Sequence, residues 1–350
     1  MASSKIDFHT HFIPPFYRTL LEKKYPQPDG MPGYPAWSVE SHLEFMETNG
    51  IKKSILSLSS PGVDGLDLGD EDIDAASLAR QVNDFAADVK RQNPERFGFL
   101  ASLPLSDEAA CLAEIKRALS PEVNADGFMI LSNTQGRYLG DPSLRTVLRA
   151  LNEVGALVFV HPTIPCHHGN GGHLAQNVRV DSCCPLAAHY KIPIFEFLFD
   201  EARTIFDLVA SGAATENKQI KWLVPHCGGV IPTIIDRMFL VERLGIPYPH
   251  SEGRNTSGCK FGAGEEETRR IFREQFYYDI MGNPVGNLLD SLLKFVGKEQ
   301  LVFGTDTPWM PFARSNGVIK QLEEDLPGVV GEEWVSRVYH GNGEKLLARE

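Results

Sequence analysis

The feature that most constrains this chain is an alternation of two hydrophobic periods along its length. Short apolar runs rich in Val, Ile, Leu and Phe recur at residues 5–12, 53–59, 97–105, 127–132, 156–162, 220–226, 276–280 and 301–305. Between them, apolar residues return at helical spacing. In "SLRTVLRALNEVG", Leu144, Val147, Leu148, Leu151 and Val154 fall on one stripe, as one face of an amphipathic helix requires. Similar stripes fit 39–47, 78–91, 109–119, 202–210, 233–244 and 285–296. Strands that alternate with helices must be joined by crossovers and so run parallel. Eight such units predict an α/β fold, a closed (β/α)₈ TIM-like barrel.

Three segments break the rhythm: "YPQPDGMPGYPAWS" after the first strand, 164–194 after the fifth, and 246–264 before the seventh. The first two follow strand C-termini, where a barrel places its active site. They read as lid insertions, at about 24–37 and 164–194, in one domain spanning 1–350. Neither an internal repeat nor a low-complexity tract is present.

The first strand adds chemistry to this frame. In "KIDFHTHF" side chains alternate faces, so Asp7, His9 and His11 share one side while Ile6, Phe8 and Thr10 share the other. Two imidazoles on one face can grip one cation, although such a pair is also compatible with a hydrogen-bonded structural role. The barrel reading decides between these, because residues at strand C-terminal ends converge however far apart they lie in sequence. Those ends carry His9 and His11, His161 in "VFVHP", His226 in "LVPHCGG" and Asp306 in "FGTDTP". Convergence of four of the chain's 11 histidines with a carboxylate points to a divalent metal site. His42, His167, His168, His173, His189, His250 and His340 fall on helix faces or in loops and read as non-ligands.

Bulk properties exclude several alternatives. A net charge of -12 and a pI near 5.4 argue against a nucleic-acid partner, which calls for clustered Lys and Arg. An anionic substrate would then depend on local positive charge, which a metal supplies. Six cysteines without a CxxC do not form a disulfide framework in a chain of 350 residues. With a strand beginning at about residue 5 there is no room for a signal peptide, and no apolar run is long enough for a membrane. The expected compartment is reducing cytosol.

The motifs "IDFHTHFIPP", "GRYLGDP", "VFVHPT", "HCGGVIPTIIDR" and "FGTDTP" resemble, in the same order, those of the amidohydrolase superfamily, in its branch of aminocarboxymuconate-semialdehyde and aromatic acid decarboxylases. The resemblance implies that His9, His11, His161 and Asp306 hold one divalent ion, zinc first and manganese second, with His226 beside it as a catalytic residue. It also implies that Arg237, eleven positions after His226, reaches a substrate carboxylate, in some members across a homodimer interface; a solvated helix arginine is the alternative. Many hydrolases of the superfamily carry a carboxylated lysine on strand 4 that bridges two metals. "ADGFMILSN" has no lysine, which implies a single ion.

Such a site suits non-oxidative decarboxylation of an ortho-hydroxy aromatic acid. A metal chelating the phenolic and carboxylate oxygens would fix the substrate. Asp306 is the first candidate for protonating the ring carbon and His226 for orienting groups and shuttling protons, with the two roles exchangeable at this stage. Tyr34, Trp37, Phe195, Phe197 and Trp309 offer aromatic walls for a flat ring, with core packing the competing explanation for each. "GMPGYPAWS" and "IPPFY" resemble the group acting on 6-methylsalicylate-like acids. The rival readings are a zinc-dependent hydrolase, a lactonase or amidohydrolase, and a non-catalytic binding protein on the same fold.

Overall fold

The computed structural model describes residues 4–69, 71–165, 184–244 and 264–348. Eight strands form one sheet in sequence order: β1 (Lys5–His11), β2 (Ile51–Ser57), β3 (Phe97–Ser102), β4 (Gly127–Leu131), β5 (Leu157–His161), β6 (Lys221–Val224), β7 (Phe276–Asp279) and β8 (Leu301–Val302). Each neighbouring pair is parallel. The ring is completed by bridges from Asp7 to Phe303 and from Thr10 to Thr307, with Phe8 N donating to Phe303 O at 2.9 Å and His11 N to Thr307 O at 2.7 Å. The barrel expected from the alternating periods is therefore present.

Helices pack outside the ring through the stripes seen in the sequence. On Arg145–Glu153, Val147, Leu148 and Leu151 are buried, while Val154, just past the helix end, is 45% exposed. Side-chain caps fix where several helices begin. Asp74 accepts from Ser77 N at 2.7 Å and Asp107 from Ala110 N at 3.0 Å, each satisfying an amide that no helical carbonyl can reach. Phe8 faces outward from β1 and meets the helix Asn342–Leu347, whose Gly343 has room for nothing larger: a Cβ there would lie 2.4 Å from the Phe8 ring.

Some elements differ from the sequence expectation. β8 is two residues long, because beyond Val302 the chain turns inward to pair with β1 through Thr305 and Thr307. The helix expected at 202–210 begins at Ile192, so the end of the 164–194 insertion already belongs to it. Helices at Pro15–Lys24 and Phe312–Val330 go beyond the expectation. The second carries its own buried stripe of Ser315, Ile319, Leu322, Leu326 and Val330. Of the other insertion residues, 166–183 and 245–263, with His167, His168, His173 and His250, lie outside the described residues.

Candidate metal centre at the C-terminal end of the barrel

Alternation along β1 turns Asp7, His9 and His11 into the barrel, each with no solvent exposure. His161 ends β5, paired with Leu131 of β4. His226 and Asp306 stand in the turns after β6 and β8, in backbone that side-chain-bearing residues seldom adopt: φ is 51° at His226, 55° at Cys227 and 57° at Asp306. Strain of this kind gathers at functional sites. The Asp306 turn is pinned to β1, since the amides of Thr305 and Asp306 both donate to His9 O, at 3.0 and 2.6 Å.

The four imidazoles and the carboxylate meet. Ring centroids are 5.1 Å apart for His9 and His11, 5.0 Å for His11 and His161, and 5.1 Å for His9 and His226. One ligand-type atom from each of His9, His11 and His161 lies within 4.8 Å of the others, and the same holds for His9, His226 and Asp306. Asp306 Oδ1 is 3.2 Å from His11 Nε2 and 3.5 Å from His9 Nε2. Yet both Nε2 atoms are buried without a hydrogen-bond partner among the described residues. Unpaired buried nitrogens are rare because their desolvation goes uncompensated. Here they fit the donor set of a divalent ion.

The outer nitrogens are held from behind, as ligand imidazoles usually are. His9 Nδ1 lies 2.9 Å from Asp279 Oδ2, His11 Nδ1 3.3 Å from Ser57 O, and His226 Nδ1 3.2 Å from Glu201 Oε2. His226 N also donates to Asp279 Oδ1 at 3.1 Å. Asp279 and Glu201 are completely buried, and the sequence reading singled out neither. Asp279 had a legible signal, as it ends β7 in "FYYDI" like the other acid and imidazoles at strand ends. Glu201 had none: it sits on a helix, 25 residues before its partner.

Burial and charge divide the site. Burial lowers His11 despite the Asp306 carboxylate beside it. His161 is pushed well down by burial and by the neighbouring histidines, and His226 to about 4 by burial and His9. Burial also works most strongly against charge on His9, but the carboxylates of Asp279, Asp306 and Asp7 together outweigh it and lift the imidazole to about 9. At Asp306 burial opposes ionisation, and the imidazoles of His11, His9 and His226 overcome it to hold the carboxyl below its usual range. His11, His161 and His226 are thereby neutral beside an ionised Asp306, the protonation states a cation needs, while His9 must give up its extra proton when a cation binds.

The other predicted site residues are placed more diversely. Tyr34 is buried, its hydroxyl donates to Tyr25 O at 2.6 Å, and its ring lies 5.8 Å from that of Trp309. Trp309 has a buried Nε1 with no described partner. Trp37 packs among Phe12, Phe85 and His42 and donates to His42 Nδ1 at 3.1 Å, with no described contact to His9, His11, His161 or His226. Phe195 is 39% exposed against Tyr190, whereas Phe197 is buried with its ring 6.2 Å from His161. Two residues apart on a helix, the two rings point in nearly opposite directions. Arg237 is exposed on Ile231–Leu244, and no described contact joins it to the histidines.

Fold and donor set together define the class: a parallel (β/α)₈ barrel with imidazoles and a carboxylate gathered at its strand C-termini. Within that class the chain belongs to the amidohydrolase family, whose profile matches residues 6–349. It is similar to decarboxylase macB of Penicillium terrestre, 31% identical over 92% of this chain and 89% of that one. It is likewise similar to 6-methylsalicylic acid decarboxylase of Penicillium expansum, 31% identical over 88% of this chain and 86% of that one. With such relatives it is a carboxy-lyase. The fold is shared with a dihydroxybenzoic acid decarboxylase of Polaromonas solved with manganese and 2-nitroresorcinol, at TM-score 0.74 and 20% identity over 99% of this chain and 97% of that one.

Proposed function

We propose that this chain catalyses the metal-dependent, non-oxidative decarboxylation of an ortho-hydroxy aromatic carboxylic acid, salicylate-like and by first choice 6-methylsalicylate-like. The observation that carries the reading is the pair of buried, unpaired Nε2 atoms of His9 and His11 facing Asp306 beside His161. They are donor atoms gathered around one place, with Asp306 Oδ1 3.2 Å from His11 Nε2 and 3.5 Å from His9 Nε2. The substrate class is supported by the Penicillium expansum relative.

One divalent ion per chain, held by His9, His11, His161 and Asp306, would supply a Lewis acid for the phenolic and carboxylate oxygens. Zinc is the first candidate for this donor set; the manganese in the Polaromonas enzyme supports the second. Asp306 rests ionised, takes the phenolic proton as the substrate binds, and returns it to the ring carbon bearing the carboxylate. The carbon–carbon bond then breaks, its electron pair restores the aromatic ring, and carbon dioxide leaves. Neutral His226 orients the substrate and passes a solvent proton to the phenolate oxygen of the product. Phe197 against His161, and Tyr34 with Trp309, provide flat apolar surface near the substrate.

Arg237 reaches the substrate carboxylate in its own or a neighbouring subunit of a homodimer. Exposed Ile234, Leu240 and Leu244 on the same helix support an apolar contact there. The whole chain acts as one barrel domain in the cytoplasm.

The test is turnover of salicylate-like acids in D₂O. One deuterium should appear at the carbon that lost its carboxylate, together with released carbon dioxide. H226A should keep its metal and slow turnover by roughly 10². Cleavage of an ester or lactone with no carbon dioxide from any acid would overturn the decarboxylase reading. Loss of metal from H226A would make His226 a ligand.

A further inference from the structure

The chemistry above gives no task to Glu201, although it is completely buried on the helix Ile192–Ala210. Its Oε2 lies 3.2 Å from His226 Nδ1, and its Oε1 is buried without a hydrogen-bond partner among the described residues. Placing a carboxyl group there costs desolvation that one contact offsets only in part. A residue kept in that position needs a reason beyond stability.

Three features hold it in place. Asp200, its chain neighbour, accepts from Ser132 Oγ, from Asn133 Nδ2 at 3.0 Å and from the Tyr138 hydroxyl at 2.5 Å, so the helix is clamped to the chain leaving β4. The turn that carries His226 closes against the same helix at Gly229, where φ is 55° and a Cβ would lie 3.0 Å from Leu198 O and 3.4 Å from Glu201 Cδ. The absence of a side chain at position 229 is what lets the turn and the carboxyl group approach. The His226 backbone, finally, is fixed by its amide donating to Asp279.

We propose that Glu201 is the positioning residue of His226, setting the orientation and tautomer of the imidazole through Nδ1 so that the other nitrogen meets the substrate in a single form. The principle is general: whichever proton arrangement one ring nitrogen makes with its partner dictates what the other can donate or accept. Only the kinetic part of the test rests on the proposed decarboxylation.

The experiment compares wild type, E201Q and E201A by steady-state kinetics, by metal content and by ¹⁵N spectra of histidine-labelled protein, with H226A assigning the His226 signals. E201A should lose roughly 10- to 100-fold in kcat, the scale for an orienting partner, with KM within about twofold and its metal retained. E201Q, which keeps a hydrogen-bonding group at the same reach, should fall between. The His226 ring nitrogens should give one fixed-tautomer pattern in wild type and an averaged one in E201A. Wild-type kcat in E201A would overturn the proposal, as would an unchanged His226 pattern. If no acid is turned over by wild type, the decarboxylase reading fails while the His226 signals still decide the positioning role.

Discussion

The two ends of the barrel put their buried polar groups to different uses. At the N-terminal end, Lys5 Nζ donates to Asn49 O at 2.8 Å and to Glu323 at 2.6 Å, Gln300 Nε2 to Phe272 O at 2.6 Å, and Asn342 Nδ2 to Lys298 O and Leu301 O at 2.9 and 2.8 Å. These side chains are at most 2 or 3% exposed, and each ties a strand or turn to a neighbouring helix or loop. At the C-terminal end, His9 Nε2, His11 Nε2 and Glu201 Oε1 are just as dry but have no hydrogen-bond partner among the described residues. Gln275 Oε1 and Trp222 Nε1, beside strand starts, also lack a described partner, but only the C-terminal end gathers unpartnered imidazole nitrogens beside a carboxylate, a donor set that fits a ligand, whereas the bonds at the other end serve stability.

The contrast is tested most sharply by exchanging one atom at the ligand end. D306N should cut turnover by roughly 10³ or more, within the range for lost acid–base and electrostatic groups, and lower metal content, with a melting temperature close to that of the wild-type apoprotein. An inactive but fully folded protein is the expected result, and retained turnover would remove Asp306 from the chemistry. At the other end, N342A strips donors from two buried carbonyls. It should cost about 1–3 kcal/mol of stability, read as a shift in the denaturant midpoint, with kcat within about twofold. A large loss of kcat at unchanged stability would break the division between the ends. A similar or somewhat smaller effect is expected from E323A, because it takes the carboxylate from the buried Lys5 ammonium, while Glu323 itself is 44% exposed and Lys5 keeps the Asn49 carbonyl: about 1–2 kcal/mol, with kcat unchanged.

How far the site could be read from the sequence depended on the range of the interaction. Strand alternation put His9 and His11 on one face, and only the barrel reading, which joined them to His161, His226 and Asp306 at the ends of apolar runs, made them legible as a site. Asp279 carries the same kind of signal, but an acid after "FYY" is also an ordinary strand terminus. Glu201 was beyond reach, for its contact with His226 depends on a helix packed across the barrel and on the bare backbone of Gly229. Phe195 and Phe197 show the same limit. The sequence marked an aromatic pair, and the helix's rotational setting against β5 turned Phe197 to His161 and Phe195 outward.

What the sequence by itself determined is the barrel and the four histidines and Asp306 that meet at its centre. Hydrophobic period is a local property, fixed by which side chains face a core at each 3.3 Å or 1.5 Å of rise, so eight alternating units leave few other topologies. What only the tertiary structure decided is which groups remain unpaired and which are held from behind. The chain that completes the ring after Val302 bends Asp306 into left-handed backbone and lays it against His9 and His11, while Asp279 and Glu201 take the outer nitrogens of His9 and His226. Those contacts span 25 to 297 residues of sequence, and no local pattern encodes them. They arise because closing a barrel forces distant strand ends into one small, dry volume, where every polar atom must find either a partner or a ligand.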